Sequence, residues 1–216
     1  FCSMVNYEED AKQVAKFLLQ INAIILQPNN PFTWASGWKS PIYCDNRKIL
    51  SFPQIRTHIR MTMCEIIKEK YPHANVIAGV ATGGIAIGSL VAEELGLPFI
   101  YVRASAKEHG KQNLIEGYYN QGQSVVVIED LISSGKSSLT AVEALRAEEL
   151  NVRGLISIFT YSFDVAERNF SKLNCEKISL CDYNTLLNEA VKSNYIEQKD
   201  IKLLDDWRKE PSKWNK

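Results

Sequence analysis

No Cys-x-x-Cys pair occurs in the chain, and its cysteines are odd in number: Cys2, Cys44, Cys64, Cys175 and Cys181. That pattern fits neither a zinc site nor a closed disulfide framework, and it reads as reduced, mostly buried thiols in a cytoplasmic protein. Charge of one sign is missing too, since 25 Lys and Arg balance 25 Asp and Glu. No overall field then favours nucleic acid or an anionic membrane, and any anion site must be local. The sequence also lacks an apolar run of membrane-spanning length, a signal-peptide pattern at its start, an internal repeat and a low-complexity linker. What remains is 216 residues, 45% hydrophobic, enough for one well-buried core. Residues 1–216 are therefore expected to form one domain.

The chain is organised around residues 125–138, Val-Val-Val-Ile-Glu-Asp-Leu-Ile-Ser-Ser-Gly-Lys-Ser-Ser. Four apolar β-formers running into two acids predict a buried strand over 125–128. Leu139, Val142 and Leu145 stand three apart, which predicts a helix over 138–150. The intervening loop then brings backbone N–H groups to a helix N-terminus, where a phosphate is favoured. Glu129 and Asp130 fall at the carboxyl end of the strand, where open parallel sheets bind ligands. Adjacent carboxylates beside a phosphate cradle suit two neighbouring hydroxyls or a hydrated Mg²⁺, and a ribose 5-phosphate offers both features. The competing reading is an ordinary strand–turn–helix with solvated acids. Gly135-Lys136-Ser137 also looks like the end of a G-x-x-x-x-G-K-[ST] loop, but the first glycine of that pattern would be Asp130. A carboxylate there would repel phosphates, which argues against an ATPase.

This stretch resembles the phosphoribosyl-pyrophosphate (PRPP) motif of type I phosphoribosyltransferases. The resemblance implies that Glu129 and Asp130 hold the 2- and 3-hydroxyls of the ribose. It also implies that the run from Leu131 and Ile132 through Ser133, Ser134, Gly135, Lys136 and Ser137 surrounds PRPP, with Ser133 to Ser137 at the 5-phosphate. Lys136 replaces a glycine usual in the motif and is expected to contact that phosphate.

Residues 32–47, Phe-Thr-Trp-Ala-Ser-Gly-Trp-Lys-Ser-Pro-Ile-Tyr-Cys-Asp-Asn-Arg, are dense in aromatics and predict short strands and turns. Spacing alone suits an aromatic mini-core under a flap. The pattern F-T-x-x-S-G-x-K-S-P, however, resembles the N-terminal hood of orotate phosphoribosyltransferases, which covers the orotate base. Backbone groups near Tyr43 and Cys44 would then contact the pyrimidine, with Ser133 within reach of it. A lysine that some members carry before the Ser-Gly pair is Ala35 here, leaving Arg47 or Lys39 to compensate.

Val76–Val80 predicts a second strand, and Gly79-Val-Ala-Thr-Gly-Gly84 leads from it to a helix over 85–95. With the central motif, this loop resembles the family's pyrophosphate loop, at Ala81, Thr82 and Gly83, which often includes a non-proline cis peptide. A third strand, 98–103, ends at Arg103. The aperiodic residues 104–116 after it carry Lys107, His109, Gly110, Lys111 and Asn113, as a lid loop would. Arg-x-x-x-Lys-x-His-Gly-x-x-Asn resembles the catalytic loop of orotate phosphoribosyltransferases, whose Arg, Lys and His gather the pyrophosphate. Arg103, Lys107 and His109 are accordingly the expected catalytic residues. A further family lysine is absent at Ala104 and Ser105, and Lys111 is the candidate substitute.

Elsewhere, periodicity predicts helices over 7–26 (N-cap Asn6), 53–70, 183–192 and 197–207, with strands over 155–160 and 177–180. His58 is expected on a helix surface, and Trp207 and Trp214 as packing anchors. Some relatives place an orotate-binding arginine after the 155–160 strand, but Arg168 falls several residues too late. Strand and helix in alternation, with ligand loops at strand ends, predict an α/β fold: a doubly wound, mainly parallel sheet flanked by helices, with a small hood formed mainly by residues 1–50. The resemblance implies transfer of ribose 5-phosphate from PRPP to orotate in de novo pyrimidine synthesis. It further implies Mg²⁺ bridged through PRPP with no direct protein ligand, Asp130 reaching it through water. A homodimer with shared active sites, no membrane, no nucleic acid and no fused decarboxylase complete the expectation. A transferase for another base, or a PRPP-binding regulator without turnover, stay open as alternatives.

Overall fold

The structure, a computed structural model, describes residues 7–33, 37, 39–105 and 114–214. Its centre is a six-stranded sheet of β5 (Val76–Val80), β6 (Phe99–Val102), β7 (Ile115–Glu116), β8 (Ser124–Ile132), β9 (Asn151–Thr160) and β10 (Lys177–Asp182). The strand order is β10-β9-β8-β5-β6-β7, with every pairing parallel except β6 with β7. The central strands β5 and β8 alternate their side chains between two apolar cores, as a pleat buried on both faces must. Val126 and Ile128 of β8 enter the core beneath α1 (Tyr7–Gln20), α2 (Pro53–Lys70), α3 (Gly83–Leu95), α6 (Tyr183–Lys192) and α7 (Ile201–Lys209). Val125 and Val127 enter the opposite core, under α4 (Lys136–Ala147) and α5 (Asp164–Lys172). The run of four apolar β-formers follows from this double burial.

Four short strands precede the sheet. β1 (Ile24–Leu26) pairs antiparallel with β4 (Ile42–Cys44), and β2 (Phe32–Thr33) with β3 (Lys39–Ser40). A 3₁₀ turn over Asn46–Ser51 then leads into α2, with Pro53 at its first position.

Several boundaries correct the sequence reading. The first helix stops at Gln20, not 26, because Asn22 adopts a left-handed conformation (φ 53°) and Ile25 pairs with Tyr43 instead; Asn6 lies outside the described residues. β8 does not stop at Ile128. It outruns β5 and continues on β9, with Glu129 opposite Ser157 and Ile132 opposite Thr160, so both acids sit within the strand. α4 begins two residues earlier than expected and ends at Ala147, closed by Glu149 at φ 59° and the Leu150 N–H to Leu145 C=O bond. The 197–207 segment divides into a 3₁₀ turn, Gln198–Asp200, and α7. His58 is half-buried rather than on the surface, edge-on to Phe17 at 5.3 Å. Trp207 is fully buried against the rings of Tyr161, Phe163 and Tyr183.

Candidate active site

The sheet reverses its direction of growth at the β5/β8 pair, where α3 leaves towards one face and α4 towards the other. Such a switch point opens a crevice at the carboxyl ends of its strands. A cavity of about 570 Å³ occupies it here. The loop after β5 forms one wall, with the Ala81–Thr82 peptide in the cis form, as expected at this loop. Gly83 opens α3 so close to β8 that a Cβ on it would overlap the Asp130 carboxylate. Only glycine admits that approach.

The opposite wall is the loop from Ser133 to Ser137. Gly135 adopts φ +77°, and a Cβ there would lie 2.7 Å from the Phe170 ring. The turn therefore needs glycine both for its backbone and for its packing. Asn169 of α5 braces the loop, its Nδ2 donating to the Ser134 carbonyl at 3.1 Å. Gly135 brings no capping side chain to α4, and of its first N–H groups that of Lys136 donates to Ser134 Oγ at 3.4 Å; the exposed Lys136 and Ser137 line the cavity beside this helix start.

The two acids differ sharply. Asp130 is half-exposed at the cavity, whereas Glu129 retains 4% of its surface. Ser138 Oγ donates to one Glu129 oxygen at 2.9 Å and the Asp130 N–H to the other at 3.0 Å. Burial first, and then the neighbouring Asp130, push the Glu129 carboxyl up to about 8. The bonds from the Asp130 N–H and Ser138 oppose that rise without cancelling it.

Arg103 follows β6 on the rim. Its N–H donates to Leu114 C=O at 2.8 Å, and its guanidinium lies 3.5 Å from Glu116 of β7. The two ends of the intervening loop are thus held side by side at the cavity. Lys107, His109 and Lys111 lie outside the described residues.

A second cavity, about 430 Å³, opens beyond Leu131 and Ser133, which line both spaces. Its remaining walls come from Phe32, Thr33, Tyr43, Cys44 and Tyr161. Phe32 and Tyr43 approach to 5.7 Å between ring centroids, and Tyr161 stacks on Phe163 at 5.2 Å. A flat, partly polar ring suits these dimensions and walls. Ala35 lies outside the described residues. Of the two cations considered as its substitutes, Arg47 is committed to both oxygens of Asp45, at 2.7 and 3.1 Å. Lys39 donates to the Thr33 hydroxyl at 2.8 Å and has no carboxylate partner among the described residues.

Two contributors escaped the sequence reading. Asn46, buried to 1% exposure, donates from Nδ2 to the Asp130 carbonyl at 2.7 Å and accepts from the Cys44 thiol at 3.3 Å. Burial and nearby Asp130 push that thiol's pKa well up, so it stays protonated and donates. Tyr161 supplies part of the second cavity, although it reads as an ordinary strand-end aromatic. Only its position directly after β9, beside the end of β8, could have signalled it.

Among the described residues no group of three or more His, Cys, Asp or Glu side chains gathers closely enough to hold a metal, and no helix is long and apolar enough to cross a membrane. The four described cysteines are free, with Cys64, Cys175 and Cys181 buried.

Comparison with known proteins agrees with this geometry. The phosphoribosyl transferase domain model matches residues 45–185, which contain both walls of the first cavity. The orotate phosphoribosyltransferase of Porphyromonas gingivalis is 52% identical over 203 residues, covering 94% of this chain and 97% of the relative. That of Phocaeicola vulgatus is 53% identical, covering 94% and 96%. The crystal structure of orotate phosphoribosyltransferase from Aeropyrum pernix superposes with a TM-score of 0.74 at 25% identity, covering 85% of this chain and 99% of that one. The two sequence matches, at 94% of this chain, reach well beyond the residues that the domain model covers.

Proposed function

The chain belongs to the orotate phosphoribosyltransferase family, and on that premise we propose that it transfers the ribose 5-phosphate of PRPP to orotate, giving orotidine 5′-monophosphate and pyrophosphate in UMP synthesis. The observation that carries this reading is the meeting of two cavities at Leu131 and Ser133: a phosphate cradle at the β5/β8 crevice and an aromatic slot under the hood. A donor sugar in the first would present its C1 to a base in the second.

In such a transfer the bond from C1 to the pyrophosphate oxygen breaks ahead of bonding to the ring nitrogen. Positive charge spreads over the ribose while negative charge grows on the leaving group. Arg103 meets that charge from the rim, joined by Lys107 and His109 of its loop, with His109 donating a hydrogen bond or proton to the leaving oxygen. The α4 N-terminus, Ser133 to Ser137 and Lys136 hold the 5-phosphate. Ala81, Thr82 and Gly83 lie against the pyrophosphate.

Asp130 faces the ribose hydroxyls directly. Glu129 accepts a further hydroxyl more strongly when ionised, so sugar binding lowers its raised pKa. Mg²⁺ would supply neutralisation of the charge growing on the leaving pyrophosphate, and the half-exposed Asp130 carboxylate is the group that would hold it, through water. Ser133, Tyr43 and Cys44 contact the base.

One domain over residues 1–216, a homodimer whose catalytic loops complete each other's sites and a cytoplasmic location belong to the same reading, supported by the family membership and the four free thiols. The test is product balance. Orotidine 5′-monophosphate and pyrophosphate should appear in equal amounts as orotate is lost, whereas PRPP breakdown without nucleotide would overturn the proposal.

A further inference from the structure

A third cavity, about 390 Å³, lies between the first turns of α5 and the last turn of α7, with Ser133 and Ser134 as its inner wall. Three cations line it, Arg168, Arg208 and Lys209, against one carboxylate, Asp164. On a chain with no net charge this is a local excess. Arg208 and Lys209 have an ordinary explanation, since cations in a last helical turn complement the macrodipole. Arg168 has none. It stands mid-way along α5, is exposed, and forms no ion pair or side-chain hydrogen bond among the described residues.

The neighbouring cations are not neutralised either. Arg208 sits over the Tyr183 ring at 5.4 Å rather than on a carboxylate, and Lys209 is 3.9 Å from Asp206, a loose exposed pair. The same lining also carries apolar residues, Phe163, Val165 at 40% exposure and Pro211. A cleft of this volume, with three cations and three apolar residues in its lining, suits a small molecule that combines a phosphate with a flat ring.

We propose that this cleft is a second anion site that takes a nucleoside monophosphate, and that its occupancy is coupled to the phosphate loop of the first cavity. The coupling path is short. Arg168 is followed by Asn169, whose amide holds the Ser134 carbonyl at 3.1 Å, and Ser133 and Ser134 line both spaces. A phosphate drawing Arg168 towards α7 moves the brace of that loop. The site itself stands apart from the transferase reading; only the coupling to PRPP rests on it.

Calorimetry with uridine and adenosine 5′-monophosphates, in saturating PRPP and Mg²⁺ without orotate so that the first cavity is filled, tests the proposal. At least one nucleotide should bind the wild type, and Arg168→Glu should weaken it about tenfold or more. Because Arg168 is exposed, the variant should keep its melting temperature and, without nucleotide, its KM for PRPP. Equal binding to wild type and variant, no binding at millimolar nucleotide, or binding that saturating PRPP abolishes would each overturn the proposal. A rise in KM for orotate in Arg168→Glu would also overturn it, by moving the arginine to the hood cavity.

Discussion

Asn46 Nδ2 donates to the Asp130 carbonyl oxygen at 2.7 Å across 84 positions of sequence, and the same amide accepts from Cys44 at 3.3 Å. One buried side chain thus joins a wall of the hood cavity to the strand that presents its carboxylate to the first cavity. Asn46→Ala removes this hydrogen bond from the Asp130 carbonyl, at a cost of about 0.5–1.5 kcal/mol. Urea denaturation should read that loss, and steady-state kinetics should show higher KM for both PRPP and orotate. A change confined to one substrate would mean the two spaces are not joined through this residue.

Gly83 and Asp130 allow no methyl group between them. Gly83→Ala should displace the Asp130 carboxylate or the loop before α3, and a shift of about 1 Å at a reacting centre costs roughly 100-fold in kcat/KM. Near wild-type activity would show that neither group must hold its place.

Glu129 gives a pH dependence with a definite sign. Its carboxyl is raised to about 8 in the fold, above its unfolded value, so its contribution favours folding at low pH and is lost as pH rises through about 8. The apo protein's melting temperature should therefore carry a component that falls over that range and vanishes in Glu129→Gln. PRPP affinity should run the opposite way, strengthening as the carboxyl ionises. An affinity indifferent to pH between 6 and 9, roughly the window around such a pKa, would remove Glu129 from the hydroxyl site.

Lys136 is exposed at the first position of α4 and lines the phosphate cavity. A cation there works against the helix dipole, and on the proposed function it serves the 5-phosphate of PRPP. Lys136→Gly should raise KM for PRPP about tenfold with kcat little changed. An unchanged or lower KM would show that the ammonium does not touch the phosphate.

Much of the sheet was legible because double burial writes itself as apolar runs. β5, α2 and α6 occupy the residues that periodicity indicated. The end of β8 was not legible, because Glu129 and Asp130 look like a strand terminus until β9 is known to run beside them and continue the ladder. Asn46 was hidden for a similar reason: its partner is distant in sequence, and asparagine in an Asp-Asn-Arg run looks like any turn residue. Glycine carried the clearest local signal at Gly83 and Gly135, where the reason for it, a carboxylate and a phenyl ring, came from other segments.

On the proposed function, the two cavities meeting at Leu131 and Ser133 serve one transfer between PRPP and orotate. The most direct measurement is the initial rate with PRPP and Mg²⁺ for orotate, uracil, adenine and xanthine in parallel, followed by ultraviolet absorbance. Turnover of orotate alone is the predicted result. Preference for any other base would contradict the reading of the hood cavity, and PRPP binding without turnover of any base would contradict the enzyme itself.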